Sequence, residues 1–107
     1  PFSHTREQWQ RDMAALGACE NVACKISGII ARAPEGWTAD TLAPTVNHCL
    51  DSFGPDRVVF GGDWPVCNFG ASLGEWVAAL RQIVSGRPEE DRAKLLAGNA
   101  ERLYGLV

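Results

Sequence analysis

The chain has 107 residues, and its 10 Lys and Arg against 13 Asp and Glu give a net charge of −3. This mild acidity offers no basic surface for nucleic acid or for an anionic membrane. Hydrophobic residues make up 46% and charged residues 21%, as in ordinary globular domains, and the apolar runs are too short to span a bilayer. We therefore expect a globular α/β unit over residues 1–107, with neither nucleic acid nor membrane as a partner.

The first half of the chain predicts a helix, a strand and a second helix. Apolar residues recur at i, i+4 and i+7 within 7–16, which is the spacing of one helical face. The short apolar segment 21–28 ends in glycine and predicts a strand, and 31–37 predicts a loop because it contains proline and glycine. A second helical stripe follows over 40–53, with Asp40 as its expected N-cap.

The second half predicts one more strand and three helices. The apolar run within 57–62 is continuous, which favours a parallel strand that is buried on both faces. A loop over 63–71 leads to a helix over 73–84, and a fourth helix begins at Pro88 and ends near residue 97. Asn99 is predicted to cap a last short helix.

Strands that alternate with helices predict a parallel sheet. Two strands are too few for such a sheet, because both outer edges are left unpaired. The sequence therefore predicts the last βα units of a larger domain, and a TIM-type (β/α)8 barrel of about 250 residues is the candidate. The unpaired edges also predict that the chain is a homo-oligomer.

The four cysteines indicate buried thiols rather than a metal site or a disulfide framework. Cys19, Cys24, Cys49 and Cys67 form no Cys-x-x-Cys pair, and neither histidine stands near one at the spacing of a zinc finger. Three of them lie in apolar periodic segments, where cysteine behaves as a small hydrophobic residue. Reduced thiols predict a cytoplasmic protein.

The ends of the two predicted strands are the candidate sites of chemistry, because barrel active sites lie at the carboxyl ends of the strands. Asp63 directly follows the second strand and is followed by Trp64. A carboxylate there can accept a proton from water or bind a divalent cation, but it can equally cap the following turn. At the first strand, Lys25 either reaches a substrate or pairs with a neighbouring acid, and Ser27 follows it.

Three motifs carry a family resemblance. They are FGPDRVVFGGDWPVC at 53–67, NVACKISGI at 21–29 and GNAERLYGL at 98–106. In this order they resemble the last strands and the C-terminal signature of the amidohydrolase superfamily, of the amidohydrolase-2 type. Within it, the sequence is most similar to the sugar-lactone branch, such as L-fucono- and L-rhamnono-lactonases. The resemblance covers the chain from Trp9 onward.

The resemblance implies that Asp63 is the catalytic carboxylate that activates water and, in metal-dependent members, touches the metal. The preceding position is more often serine in the family, and here it is Gly62. The other family ligands are histidines on the first, fifth and sixth strands, none of which this chain includes. His4 and His48 match no ligand position, so a divalent cation such as zinc is expected only in the complete enzyme and none is expected to bind tightly to this chain.

The function that the resemblance implies is hydrolysis of a small lactone. Trp64, Trp37, Lys25 and Ser27 are the candidates for the substrate pocket around Asp63. The isolated chain, which lacks the other ligand strands, is expected to be inactive. The alternative is a non-catalytic, truncated α/β module that associates with itself through its exposed sheet edges.

Overall fold

The computed structural model describes residues 6–62 and 66–104, and over them the chain has the predicted order of helices and strands. The elements are α1 (Arg6–Gly17), β1 (Cys24–Ile26), α2 (Ala39–Phe53), β2 (Val58–Phe60), α3 (Leu73–Ile83), α4 (Glu89–Ala93) and α5 (Asn99–Tyr104). Short 3-10 helices, Gly28–Arg32 and Val66–Phe69, stand after the two strands, and a π-helical turn, Lys94–Gly98, joins α4 to α5. None of the described helices is long and apolar enough to cross a membrane.

The two strands pair in parallel, as the sequence predicts, and α2 is the connection between them. Cys24 lies opposite Val58 and Ile26 lies opposite Phe60. Both strands are three residues long, so the predictions of 21–28 and 57–62 are too long. The apolar pattern reports burial, which extends beyond the residues that pair with a neighbouring strand.

The hydrophobic core lies on one face of this sheet. Cys24 and Ile26 of β1 and Val58 of β2 belong to it together with buried residues of α2 and α3, and α2 contacts both strands. The largest fully buried apolar side chains are Trp76, Ile30, Leu80, Leu95, Val46, Val58 and Val84. Lys25 stands between two core residues of β1 and is exposed, because successive side chains of a strand point to opposite faces. The sheet therefore has a core face and a face that carries Lys25.

Helix α2 confirms the predicted stripe but begins earlier than expected. Its N-cap is Thr38 rather than Asp40, in a capping box with Thr41. The amide of Thr38 donates to Oγ1 of Thr41 over 3.0 Å. The helix ends at Gly54, whose φ of 78° is the left-handed conformation that favours glycine. The buried residues of its stripe are Leu42, Val46, Cys49, Leu50 and Phe53.

Some apolar residues at helical spacing are more exposed than predicted. Trp9 and Met13 of α1 pack against the core, but Leu16 of the same stripe is 46% exposed. Tyr104, an aromatic residue of α5, is 61% exposed. Both lie at the ends of their helices, where the described residues offer few neighbours to pack against.

Candidate functional site

The carboxyl ends of β1 and β2 lie side by side at one edge of the sheet. The amide of Gly61 donates to the carbonyl of Ile26 over 2.9 Å, so the backbone that leaves β2 is still adjacent to the end of β1 one residue beyond the strand. We call Lys25, Ser27, Gly61 and Gly62 the C-terminal edge. Asp63 and Trp64, the predicted catalytic and pocket residues that follow directly, lie outside the described residues, as do Pro65 and His4.

The structure brings two of the predicted pocket residues together at the C-terminal edge. A Cβ atom built on Gly61 would stand 2.7 Å from Cε and 3.4 Å from Nζ of Lys25, and 3.6 Å from Cβ of Ser27. The lysine stem therefore crosses the strand end over Gly61. Among the described residues no carboxylate forms an ion pair with Lys25 and no group hydrogen-bonds the Ser27 hydroxyl.

Trp37 connects the two loops that leave the C-terminal edge. Its indole N–H donates to the carbonyl of Gly70 over 3.0 Å, and its ring is half-buried. Gly70 packs so closely on the carbonyl of Ile30 that a Cβ atom there would overlap it. The described contacts of Trp37 therefore hold the loop after β1 against the loop after β2.

Three of the four cysteines are buried, and the cysteines do not form a thiol site at the C-terminal edge. Cys67 is fully buried under the Gly70 turn. Cys24 and Cys49 are buried where β1 meets α2, as predicted, and Cys19 is exposed. The hydrogen bond from Cys49 lowers the pKa of Cys24, whereas that bond and burial raise the pKa of Cys49.

His48 belongs to the packing between α1 and α2. Its Nε2 stands 2.8 Å from the carbonyl of Gln10, and its ring lies 5.4 Å from that of Trp9. These contacts place the His48 ring in the packing of the two helices, and its exclusion as a metal ligand stays a prediction. Within 6–62 and 66–104, no group of three His, Cys, Asp or Glu side chains could hold a metal ion.

The amino ends of the strands form the opposite edge, and here the sequence analysis missed the principal residue. The Arg57 guanidinium donates to three carbonyls, those of Gly17 at 2.5 Å, Cys19 at 2.6 Å and Val22 at 2.8 Å. It also lies over the ring of Phe53 at 5.6 Å. Arg57 thus fixes the turn between α1 and β1, and only its place directly before a buried strand could have indicated it.

Asn99 also belongs to this N-terminal edge, and its prediction as a helix cap is wrong. It is 2% exposed and has helical backbone angles within a continuous helical run. Its amide donates to the carbonyl of Pro55 at 2.6 Å and to that of Val58 at 2.8 Å. Arg102 bonds the Asn99 side-chain oxygen at 3.2 Å and also the carbonyl of Asp56. Asn99 and Arg102 therefore supply hydrogen-bond donors to the backbone carbonyls at the start of β2.

Comparison with known proteins places the chain in one family and finds lactonases among its relatives. A family model described as amidohydrolase matches residues 2–106. The chain is 34% identical to an L-fucono-1,5-lactonase of Burkholderia multivorans and 33% identical to an L-fucono-1,5-lactonase of Burkholderia ambifaria, in each case over 92% of its length. It spans about a third of those relatives, 36% of the first and 35% of the second.

Comparison with solved structures leads to the same family. A crystal structure of an amidohydrolase from B. multivorans with bound zinc matches 92% of this chain with a TM-score of 0.85 and 33% identity. A second crystal form, with bound HEPES, matches equally well. In both cases the chain covers 37% of the larger protein.

Proposed function

Because this chain belongs to the amidohydrolase family, we propose that its protein hydrolyses a sugar lactone or a related small cyclic ester. The fold of the chain is that of βα units of a (β/α)8 barrel, the architecture of the matched amidohydrolase. In such barrels, catalytic groups stand at the carboxyl ends of the strands.

The C-terminal edge is the observation that supports this proposal most strongly. Lys25 and Ser27 meet there over Gly61, two residues before Asp63 in the sequence. Neither polar group has a partner among the described residues. Two relatives that share this part of the chain at 33–34% identity are named as lactonases.

In the proposed reaction, Asp63 is the general base. Its carboxylate takes a proton from water as the water oxygen attacks the lactone carbonyl, and the ester bond to the ring oxygen then breaks. The same carboxyl group returns the proton to the leaving alkoxide, so the product is an open hydroxy acid. Trp64, Trp37 and Ser27 are proposed to line the pocket for the sugar ring.

A divalent cation in the complete protein is also part of the proposal. The described residues do not form a cation site of their own. The matched Burkholderia structure contains zinc, and Asp63 is the residue of this chain that the family resemblance assigns to the metal. A bound cation of this kind lowers the pKa of its water towards neutrality. A cytoplasmic location remains a prediction from the cysteines.

The second candidate function is a non-catalytic module that associates with itself. The observation that favours it is the sheet, in which β1 and β2 pair only with each other among the described residues. Strand edges that remain unpaired tend to recruit another chain. Light scattering on the purified protein distinguishes a monomer from the predicted homo-oligomer, and loss of assembly on substitution of Lys25 by proline would favour pairing through β1.

Asp63→Asn in the complete gene product tests the proposed function. With L-fucono-1,5-lactone and other aldonolactones as substrates, we expect kcat to fall roughly 10²–10⁴-fold while KM changes little, because amide nitrogen cannot accept the proton. Asp56→Asn removes an exposed carboxylate at the opposite edge and is the matched control. Near-wild-type turnover by Asp63→Asn would reduce Asp63 to a turn cap, and a wild-type protein that opens no lactone would refute the proposed function.

A further inference from the structure

The face of the sheet opposite the core is the place where this chain presents a cation. Lys25 is the exposed residue of β1, between two buried core residues, and it pairs in register with Val59 of β2. Val59 is buried but stands outside the core cluster, which includes its neighbour Val58. Paired residues of neighbouring strands share a face, so Lys25 and Val59 lie together on the side that faces away from α2 and α3.

Gly61 provides the space through which the lysine stem reaches the strand end. A Cβ atom at this position would stand 2.7 Å from Cε of Lys25, closer than side chains tolerate. A Cβ atom on Gly28 or Gly74, in contrast, would meet nothing within 4 Å. The stem of Lys25 therefore occupies space that a side chain at residue 61 would fill.

The ammonium group also stands at the strand end that precedes the proposed general base in the sequence. Its Nζ is 3.4 Å from the position of a Cβ atom on Gly61, and Asp63 follows Gly61 by two residues. No described carboxylate neutralises the charge of Lys25. A cation without a partner beside a site of acyl transfer can stabilise negative charge that develops there.

We propose that Lys25 binds the oxygen of the lactone carbonyl that becomes anionic during hydrolysis, and that Gly61 keeps the path of its side chain open. This inference rests on the proposed function. The lactone is neutral, but attack by water places negative charge on the carbonyl oxygen, and that oxygen becomes part of the carboxylate of the product. Lys25 therefore binds the anionic transition state and the carboxylate product more tightly than it binds the neutral substrate. A compact ammonium with three donors suits such a small anionic group.

Lys25→Met in the complete gene product tests this role, because methionine keeps the length and apolar character of the stem but removes the charge. With L-fucono-1,5-lactone we expect kcat to fall about 10²-fold at nearly constant KM, and Lys25→Arg to recover at least about a tenth of the lost rate. An unchanged kcat, an effect confined to KM, or equal losses in both variants would overturn the proposal. Circular dichroism and the melting temperature verify that the variants fold.

Gly61→Ala gives a second, independent test. The added methyl group must displace the Lys25 stem, so we expect kcat to fall in the same direction as in Lys25→Met. In the double variant the alanine should add little further loss, because the group it displaces is already absent. Gly74→Ala, which meets no neighbour, is the matched control. Additive losses in the double variant would show that Gly61 does not act through Lys25.

Binding without turnover separates this inference from the proposed function. Calorimetry with L-fuconate, the carboxylate that L-fucono-1,5-lactone would yield, and with L-fucitol, its neutral alcohol analogue, compares ligands that differ in charge. We expect Lys25→Met to weaken the binding of L-fuconate on the order of tenfold and to leave the affinity for L-fucitol unchanged. If the wild type opens no lactone but shows this charge-dependent loss, the proposed function fails and the anion site stands. If L-fuconate binds both proteins equally, the anion site is refuted whatever the enzyme hydrolyses.

Discussion

The two ends of the same pair of strands are built for opposite purposes. At the N-terminal edge, Arg57 and Asn99 donate all their described hydrogen bonds to backbone carbonyls and thereby connect α1 and α5 to the sheet. At the C-terminal edge, Lys25 and Ser27 make no hydrogen bond within the described chain. Polar side chains at one edge bind the backbone of the fold, whereas the part of the chain that the structure describes offers those at the other edge no partner. This is the division of roles known for barrel domains.

Substitutions at the N-terminal edge should therefore change stability, whereas those at the C-terminal edge should change chemistry. The largest effect is expected for Asn99→Leu, which keeps the branched shape of the side chain but leaves the carbonyls of Pro55 and Val58 without their donor. We expect the free energy of unfolding to fall by roughly 2–4 kcal/mol in urea titration. Glu101→Gln, on the exposed side of the same helix, should change it by less than about 0.5 kcal/mol. Equal stability of both variants would contradict the role of Asn99.

Arg57→Met is expected to have the next largest effect. It removes three hydrogen bonds from a guanidinium to the turn that connects α1 to β1, and it leaves the stem over the ring of Phe53. Because hydrogen bonds from charged donors are stronger than neutral ones, we expect a loss of about 2 kcal/mol. Arg81→Met, at an exposed guanidinium on α3, is the control. Kinetics measured well below the melting temperature should be the same for both variants. A selective loss of kcat in Arg57→Met would contradict the claim that residues of the N-terminal edge act only on stability.

Trp37→Phe tests whether the C-terminal edge also needs structural support. An aromatic ring remains, but the smaller phenyl group cannot donate the hydrogen bond of the indole to Gly70, and this loss should cost about 1 kcal/mol. Hydrogen exchange should become faster at the amides of Gly70 and Ala71, which bond to the carbonyl of Cys67. The amide of Cys24, at the other edge, should keep its protection. Faster exchange at both edges would show that they are coupled.

The smallest effect is expected from the exposed ion pair between Asp56 and Lys94, whose Oδ1 and Nζ stand 2.8 Å apart. The hydrogen bond and the charge of Lys94 lower the pKa of Asp56 below its usual value. Its contribution is therefore present above about pH 4 and is lost as the pH falls through the lowered pKa. The difference in stability between wild type and Asp56→Asn should vanish in acid and shrink in 1 M salt. A difference that grows on acidification would contradict this assignment.

Periodicity was sufficient to predict the helices, the parallel strands and their order. The stripe from Leu42 to Phe53 marks the buried side of α2 because every third or fourth residue of a helix meets the core. The lengths of β1 and β2 could not be obtained in this way, since pairing depends on the register of Cys24 with Val58 and not on the hydrophobicity of either strand.

The sequence was sufficient to place Lys25 and Ser27 at a strand end but not to predict what they contact. Lys25 and Ser27 could be assigned to a strand end from the sequence, but their meeting over Gly61 depends on a residue 36 positions further along the chain than Lys25. Asn99 was interpreted as a cap because asparagine beside a helical stripe usually fills that role. Its true partners, Pro55 and Val58, lie more than 40 residues earlier, beyond the range of any local pattern.

The long separation between Asn99 and its partners also sets an order of events during synthesis. Ribosomes make β2 some 40 residues before Asn99. In the nascent chain the carbonyls of Pro55 and Val58 therefore depend on water until the last helix arrives, and contacts of this separation are slow to form. We conclude that α1 to α3 can collapse on the strands early, whereas the start of β2 is completed only when α5 docks.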